Sequence, residues 1–240
     1  MYSAGYTEDL RRVVEHVRGR FTGADLCAAG YSLGASYLAK YVGEQNDRCT
    51  LVSAALFACP TNLPDAIGRL GEKVGAALID QYVLVPSVQR VLRECLPHLE
   101  GAPHLDLVGA ARATSMAAFD GCVIAPMMGC ASAADYYRQA SSGPLLPRAR
   151  VPMLFLSAHN DPIAPASLID VAPFECARDA PLLLATTAEG GHSMGWPEGG
   201  AGASRSGSGA AGGAWSAQVL VEWVHATVDA SRSQAEESRR

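Results

Sequence analysis

A serine stands between two glycines in the pentapeptide GYSLG at 30–34. This matches the G-x-S-x-G pattern, in which a strained turn from a strand into a helix lifts a serine hydroxyl above a sheet. We predict that Ser32 is a nucleophile and that Gly30 and Gly34 are required, because only glycine lets strand and helix approach so closely. The backbone N–H of Leu33, at the start of the helix, would then help to bind an oxyanion.

A serine nucleophile needs a base, and the base needs an orienting carboxylate. His192 follows the apolar run PLLLATT at 181–187, and Asp161 follows the apolar run VPMLFLS at 151–157. We therefore predict His192 as the base and Asp161 as the acid. The alternatives are a surface histidine in a loop and an Asn-Asp-Pro turn that needs no chemistry.

Other residues could compete for these roles. Asp120 and Asp170 are rival carboxylates, but neither follows a predicted strand. His159 lies close to Asp161 and is interpreted as a bystander. The chain order Ser32, Asp161, His192, with each residue after a predicted strand, is the order found in α/β hydrolases.

The elements that must position these residues alternate between strands and helices, which predicts an α/β fold with a parallel, doubly wound sheet. Between the second and third strands, segment 61–140 is predicted to form several helices broken by prolines, and we interpret it as a candidate lid. Segment 198–213 is rich in Gly, Ser and Ala and is predicted to be a flexible loop. The predicted strands are 25–29, 50–59, 151–157 and 181–187, the predicted helices outside the insertion are 7–21, 33–43 and 214–231, and the prolines are Pro64, Pro86, Pro97, Pro103 and Pro126.

Composition favours one globular domain that acts on small or apolar molecules. The 240 residues are 49% hydrophobic and 18% charged, with a net charge of -5. Basic residues do not cluster with aromatic residues, so we expect no nucleic-acid partner. No metal-ligand spacing or dinucleotide motif occurs, so we expect no metal and no cofactor.

The seven cysteines and the N-terminal sequence bear on localisation. The cysteines are scattered, and we expect mostly buried, reduced thiols, as in a cytoplasmic protein. The first twenty residues lack the apolar core of a signal peptide, and no window holds eighteen consecutive apolar residues. We expect a soluble, intracellular chain, which would be membrane-anchored only through a segment upstream of Met1.

Several segments together resemble the YheT-like branch of the α/β hydrolases, which includes abhydrolase-domain esterases and lipases. The resemblance implies Ser32 as nucleophile, Asp161 as acid and His192 as base, and hydrolysis of short- or medium-chain esters and acylglycerols. Some members act on phospholipids or transfer acyl groups. The segments are AGYTEDLRRVV at 4–14, GYSLGASYLAKYVGE at 30–44, FD at 119–120, YYRQAS at 136–141, LPRARVPMLFLSAHNDPIAP at 146–165 and GGHSMGW at 190–196.

The chain departs from that family pattern in three respects. Ala35 stands where the family usually has Gly, and Asn160 stands where it usually has Asp. The family also has several strands and a His-Gly oxyanion loop before the segment that begins at Met1, and no His-Gly dipeptide occurs here. We therefore expect an N-terminally truncated chain without the second oxyanion donor, a loss that costs about 10²- to 10³-fold in turnover.

These observations favour a serine carboxylesterase or monoacylglycerol lipase that works through an acyl-enzyme and acts on a small ester or acylglycerol. Two alternatives stay open. One is a catalytically impaired fragment that binds a partner through an exposed sheet edge. The other is an acyltransferase with the same triad, since hydrolysis and transfer differ in which nucleophile the pocket admits.

Overall fold

The computed structural model describes residues 3–72, 74–99, 101–102, 104–176, 180–192 and 215–237. They form two compact units. One unit, the helical unit, comprises segment 62–141 with the first residues of the chain, and the other, the sheet unit, comprises segments 7–61 and 142–240. The predicted flexible loop at 198–213 lies outside the described residues.

In the described residues four parallel strands form one sheet, and their order in the sheet, β1-β2-β3-β4, is their order along the chain. Each lies within or overlaps one of the four predicted runs, so the α/β class with a parallel sheet is confirmed. The two central strands are buried along their whole length, which is why they are continuous apolar runs without alternation. The strands are β1 (Cys27–Tyr31), β2 (Ser53–Phe57), β3 (Met153–Ala158) and β4 (Leu182–Thr187).

Eleven α-helices lie in the described part of the chain. They are α1 (Glu8–Arg20), α2 (Leu33–Gln45), α3 (Leu63–Glu72), α4 (Val74–Ile79), α5 (Val85–Leu99), α6 (Leu107–Arg112), α7 (Met116–Cys122), α8 (Ile124–Met127), α9 (Ala133–Ala140), α10 (Ala172–Cys176) and α11 (Trp215–Glu237). Of these, α3 to α9 belong to the helical unit and the others to the sheet unit. None of the described helices is long and apolar enough to cross a membrane.

Helices cover both faces of the sheet. On one face, α1 and α2 pack against alternate strand residues such as Leu56 and Phe155. On the other face, α11 packs its tryptophans against Phe57 and Leu156. Because neighbouring residues of a strand point to opposite faces, two fully buried central strands need this cover on both sides.

The C-terminal helix is longer than predicted. It was expected to end near Ser231, but it continues to Glu237. Beyond Thr227 its side chains are mostly exposed, so the apolar spacing from which its end was inferred stops before the helix does. Trp223 anchors it, since the indole Nε1–H donates to the carbonyl oxygen of Ala54 at 3.1 Å.

The expectation that prolines separate the helices of 61–140 is wrong at three of them, Pro86, Pro97 and Pro126. Pro126 is the third residue of the short helix α8. Pro86 is the second residue of α5. That helix directly follows a π-helical turn over Asp80–Leu84, so the missing N–H of Pro86 falls close to the point where the helical bonding pattern changes. Pro97 lies inside the last turn of α5, where few residues follow it. Pro103 lies outside the described residues.

The expectation of mostly buried cysteines is also wrong. Cys59, which follows β2, is buried, whereas the other five cysteines with described side chains are partly exposed. Several of these cysteines lie on helices or at strand ends, and the apolar residues next to them in sequence led to the prediction that they are buried.

Candidate active site

Ser32 occupies a strained turn between β1 and α2. Its φ is +51° and its ψ is -125°, a conformation that residues with a side chain rarely adopt. The backbone on both sides holds it there: the Ser32 N–H donates to the Phe57 carbonyl at 2.9 Å, and the Ser32 carbonyl accepts from the N–H groups of Ala35 and Ser36. The serine is therefore fixed at the edge of the sheet where the parallel strands end.

The two glycines of the pentapeptide differ in their surroundings. A Cβ at Gly30 would lie 2.7 Å from the Ala35 Cα and 2.7 Å from the Gly34 carbonyl oxygen, so the predicted need for glycine holds there. At Gly34 the predicted steric reason is wrong for the described structure, because a Cβ would meet no described atom within 4 Å. The close approach of strand and helix falls on Gly30 alone, where the chain leaves the sheet.

The structure brings Ser32, His192 and Asp161 together. The Ser32 Oγ lies 2.7 Å from His192 Nε2, and His192 Nδ1 lies 2.8 Å from Asp161 Oδ2. The three side chains form a continuous hydrogen-bonded chain across residues up to 160 positions apart in sequence. Such a chain can carry a proton from the serine hydroxyl to the imidazole and orient the imidazole through the carboxylate.

Asp161 uses its two carboxylate oxygens differently. Oδ2 faces His192, while Oδ1 accepts from the backbone N–H groups of Ile163 at 2.7 Å and Ala164 at 2.9 Å. Burial acts to raise the pKa of this carboxyl, but the hydrogen bonds from His192, Ala164 and Ile163 outweigh it and leave the pKa below its usual value. The side chain is fully buried and is held in its charged form.

Leu33 is the first residue of α2, and its N–H belongs to the first-turn donors that lack an acceptor within the helix. Donors of this kind at a helix N-terminus can bind a developing negative charge. The structure thus places the Leu33 N–H at the start of α2, and its role in binding an oxyanion stays a prediction.

The rival residues have other partners. Asp120 is buried in α7, where its Oδ2 accepts from the Tyr137 hydroxyl at 2.7 Å. Asp170 is exposed, and its Oδ1 accepts from the Ala172 N–H at the start of α10. His159 is exposed, and its backbone N–H donates to the Thr187 carbonyl. Among the described residues, no group of three or more His, Cys, Asp or Glu side chains is arranged to hold a metal.

Sequence reasoning missed two kinds of contact at the site. The first is the pair of backbone donors to Asp161, although the Asn-Asp-Pro turn considered as an alternative signals them. The second is Asn160, whose Oδ1 accepts from the Gly191 N–H at 2.9 Å. Nothing in the local sequence of Asn160 indicates that bond, because Gly191 is 31 residues away.

Curated relatives match most of the chain. It is 34% identical over 200 residues to an embryogenesis-associated protein, EMB8, of Picea glauca, and the match covers 82% of this chain and 43% of the relative. It is 31% identical over 205 residues to a monoacylglycerol lipase of Saccharomyces cerevisiae, again over 82% of this chain and 43% of the relative. It is 32% identical over 199 residues to the phospholipase ABHD3 of Mus musculus, over 82% of this chain and 47% of the relative.

The chain is homologous to abhydrolase-domain proteins. The expected resemblance to this group of α/β hydrolases is thereby confirmed. The chain spans less than half the length of the three relatives named above. No family model matches it. Among solved structures, an acylaminoacyl peptidase aligns with a TM-score of 0.47 and 12% identity, over 79% of this chain and 24% of that protein.

Proposed function

We propose that this abhydrolase homologue is a serine hydrolase that cleaves carboxylic esters through an acyl-enzyme on Ser32. The observation that carries the proposal is the hydrogen-bonded chain from Ser32 Oγ to His192 and on to Asp161, with distances of 2.7 Å and 2.8 Å. Each distance is within the range for proton transfer or for orienting a base. The strained backbone of Ser32, between the end of β1 and the start of α2, supports the same assignment.

In the first half of the proposed reaction, His192 Nε2 takes the proton of the Ser32 hydroxyl while Oγ forms a bond to the ester carbonyl carbon. The carbonyl oxygen becomes an oxyanion, which the Leu33 N–H stabilises. The imidazolium then gives its proton to the leaving alkoxide as the ester C–O bond breaks, so an alcohol departs and the acyl group stays on Ser32.

In the second half, water takes the place of the serine. His192 accepts a proton from water as the water oxygen bonds to the acyl carbon. The proton then passes to Ser32 Oγ as the bond between Oγ and the acyl carbon breaks, and the carboxylic acid is released. Asp161 stays ionised throughout and stabilises the imidazolium formed in each half. Its lowered pKa favours this role at neutral pH.

The substrate class we propose is acyl lipids with short or medium chains, such as monoacylglycerols. One of the relatives is named a monoacylglycerol lipase and another a phospholipase. The serine of such a triad attacks the carbonyl carbon of an ester, so the ester bond of these lipids is the expected point of cleavage.

Labelling with a fluorophosphonate probe, together with hydrolysis of p-nitrophenyl butyrate, tests the proposal. We expect the wild-type chain to be labelled and to hydrolyse the ester, and Ser32→Ala to lose both. Ser36→Ala is the matched control, because Ser36 is a buried serine of α2 whose backbone N–H contact to Ser32 is retained in alanine. Equal labelling of Ser32→Ala and wild type, or no reaction of a folded wild-type chain, would contradict the proposal.

A further inference from the structure

The backbone that carries His192 is a short turn after β4. Gly191 directly precedes the histidine and has a φ of +62°, a left-handed conformation that glycine adopts without strain. A glycine at this point gives the turn many accessible conformations, so the direction of the next side chain is not set by local sequence. Something outside the turn must fix it if His192 is to reach Ser32.

Asn160 supplies such a contact. Its side-chain Oδ1 accepts from the Gly191 N–H at 2.9 Å, one residue before His192 in the chain. Asn160 itself is held by its neighbours, because the His159 N–H donates to the Thr187 carbonyl and the Asp161 carboxylate binds the backbone of Ile163 and Ala164. The loop at 159–164, which follows β3 and is called the acid loop below, is thus held by hydrogen bonds on both sides of Asn160.

We propose that Asn160 is a positioning residue for the hydrolysis proposed above, on which this inference rests. It fixes the Gly191 peptide to the acid loop and thereby sets the distance and direction of the His192 imidazole relative to both Ser32 and Asp161. The effect is on chemistry rather than on binding, because a base misplaced by about 1 Å can lose on the order of 10²-fold in rate. We therefore expect a substitution of Asn160 to change kcat much more than KM.

The chemical requirement at this position is one hydrogen-bond acceptor at the Oδ1 site. Asparagine meets it without charge. Aspartate has the same shape and also presents an oxygen there, so Asn160→Asp preserves the contact, whereas Asn160→Ala removes it. The pair separates the loss of the contact from the general effect of changing a loop residue.

The kinetic experiment measures kcat and KM for p-nitrophenyl butyrate in the 240-residue chain and its variants. For Asn160→Ala we expect kcat to fall by about tenfold or more while KM stays within about twofold, and for Asn160→Asp we expect kcat to recover most of that loss. His159→Ala is the control, since it alters the adjacent exposed side chain but keeps the backbone bond to Thr187. It should behave as wild type.

Amide hydrogen exchange of the same variants gives a readout that does not depend on activity. We expect the peptide covering 188–192 to exchange faster in Asn160→Ala than in wild type, and strand β4 to be unchanged. An active wild type with an unchanged kcat in Asn160→Ala would overturn this inference alone. A folded wild type that neither labels nor turns over would overturn the proposed function and this inference with it.

Discussion

The two oxygens of the Asp161 carboxylate have different partners, one in a turn and one in the proposed triad. The Asn-Asp-Pro sequence fits a turn, and the position after β3 fits a catalytic acid. The geometry is compatible with both descriptions, because Oδ1 accepts from Ile163 and Ala164 while Oδ2 faces His192. The turn bonds fix the carboxylate, and a fixed carboxylate is what an imidazole needs as an orienting partner.

The two tasks of Asp161 can be separated by substitution. We expect Asp161→Asn to keep the bonds from Ile163 and Ala164 and to fold normally, but to lower kcat by about 10³- to 10⁴-fold, since an amide cannot stabilise the imidazolium. Asp161→Ala should lose the turn bonds as well and unfold at a lower temperature. Steady-state kinetics and thermal unfolding measure the two effects.

Asp170→Asn is the matched control for that comparison. It changes an exposed carboxylate that bonds the first turn of α10 through one oxygen, which an amide also provides. Its kcat should equal that of wild type. If Asp161→Asn retained wild-type kcat, the acid role of Asp161 would have to be abandoned.

At the scale of elements, β1, the turn at Ser32 and α2 together hold Ser32 in its strained conformation. The strain at Ser32 is balanced by backbone bonds from its own turn and from β2. The turn also requires a residue without a Cβ at position 30, because Ala35 and the Gly34 carbonyl lie where that atom would stand. The strain and the close contact lie two residues apart, one on each side of Tyr31.

The two glycines of this unit give a matched pair of substitutions. Gly30→Ala should displace the turn and abolish labelling by a fluorophosphonate, because its Cβ would lie 2.7 Å from backbone atoms. Gly34→Ala should keep labelling and raise stability by up to about 1 kcal/mol, because alanine is favoured over glycine inside a helix. Thermal unfolding and probe labelling of both variants test this. Loss of labelling in a folded Gly34→Ala would contradict the assignment of the close contact to Gly30 alone.

Much of the sheet unit could be predicted from the sequence, and the reasons are physical. Buried parallel strands are apolar on both faces, so β2 and β3 appear as continuous apolar runs, and their ends mark the edge where a site forms. The order of Ser32, Asp161 and His192 then predicted which side chains would meet there. The bond of Asn160 to Gly191 could not be predicted, since it depends on how two loops pack after the sheet has formed.

The helical unit was harder to predict, because helix boundaries there depend on packing rather than on local signals. Pro97 is tolerated inside α5 because it falls in the last turn, whereas sequence alone indicates a break. The cysteines that are partly exposed although their neighbours in sequence are apolar show the same limit of prediction from local sequence. Apolar neighbours in sequence do not determine which side of a helix faces inward.

For the molecule as a whole, two buried carboxyls affect stability in opposite directions as pH changes. The pKa of Asp161 is lowered, so its contribution to stability is present above the pKa of an unfolded aspartate and is lost as pH falls. The pKa of Asp120 is raised from 3.8 to about 6 by burial, against the Tyr137 hydrogen bond, with Asp80 raising it further. Folded Asp120 therefore binds a proton more tightly than unfolded Asp120 does.

Because the folded state holds that proton up to about pH 6, the contribution of Asp120 to stability is full below about pH 4 and is lost as pH rises through 6. The loss amounts to about 3 kcal/mol above pH 7, as an order of magnitude. Asp120→Asn removes the ionisation but can still accept from Tyr137. We expect the free energy of unfolding of Asp120→Asn, relative to that of wild type, to increase between pH 5 and pH 8, because wild type alone loses stability in this range.

Urea denaturation at a series of pH values measures this difference, and Tyr137→Phe gives a control of opposite sign. It keeps the Asp120 carboxylate but removes the hydroxyl that stabilises the charged form, so its stability should fall more steeply with pH than that of wild type. The decisive quantity is the slope of the free energy of unfolding against pH. Each substitution also changes that free energy by an amount that does not vary with pH, such as the cost of an unpaired amide N–H in Asp120→Asn. Parallel pH profiles for wild type and Asp120→Asn would mean that Asp120 does not ionise in this range, and the buried carboxyl would then have to be neutral up to pH 8 or charged already at pH 5.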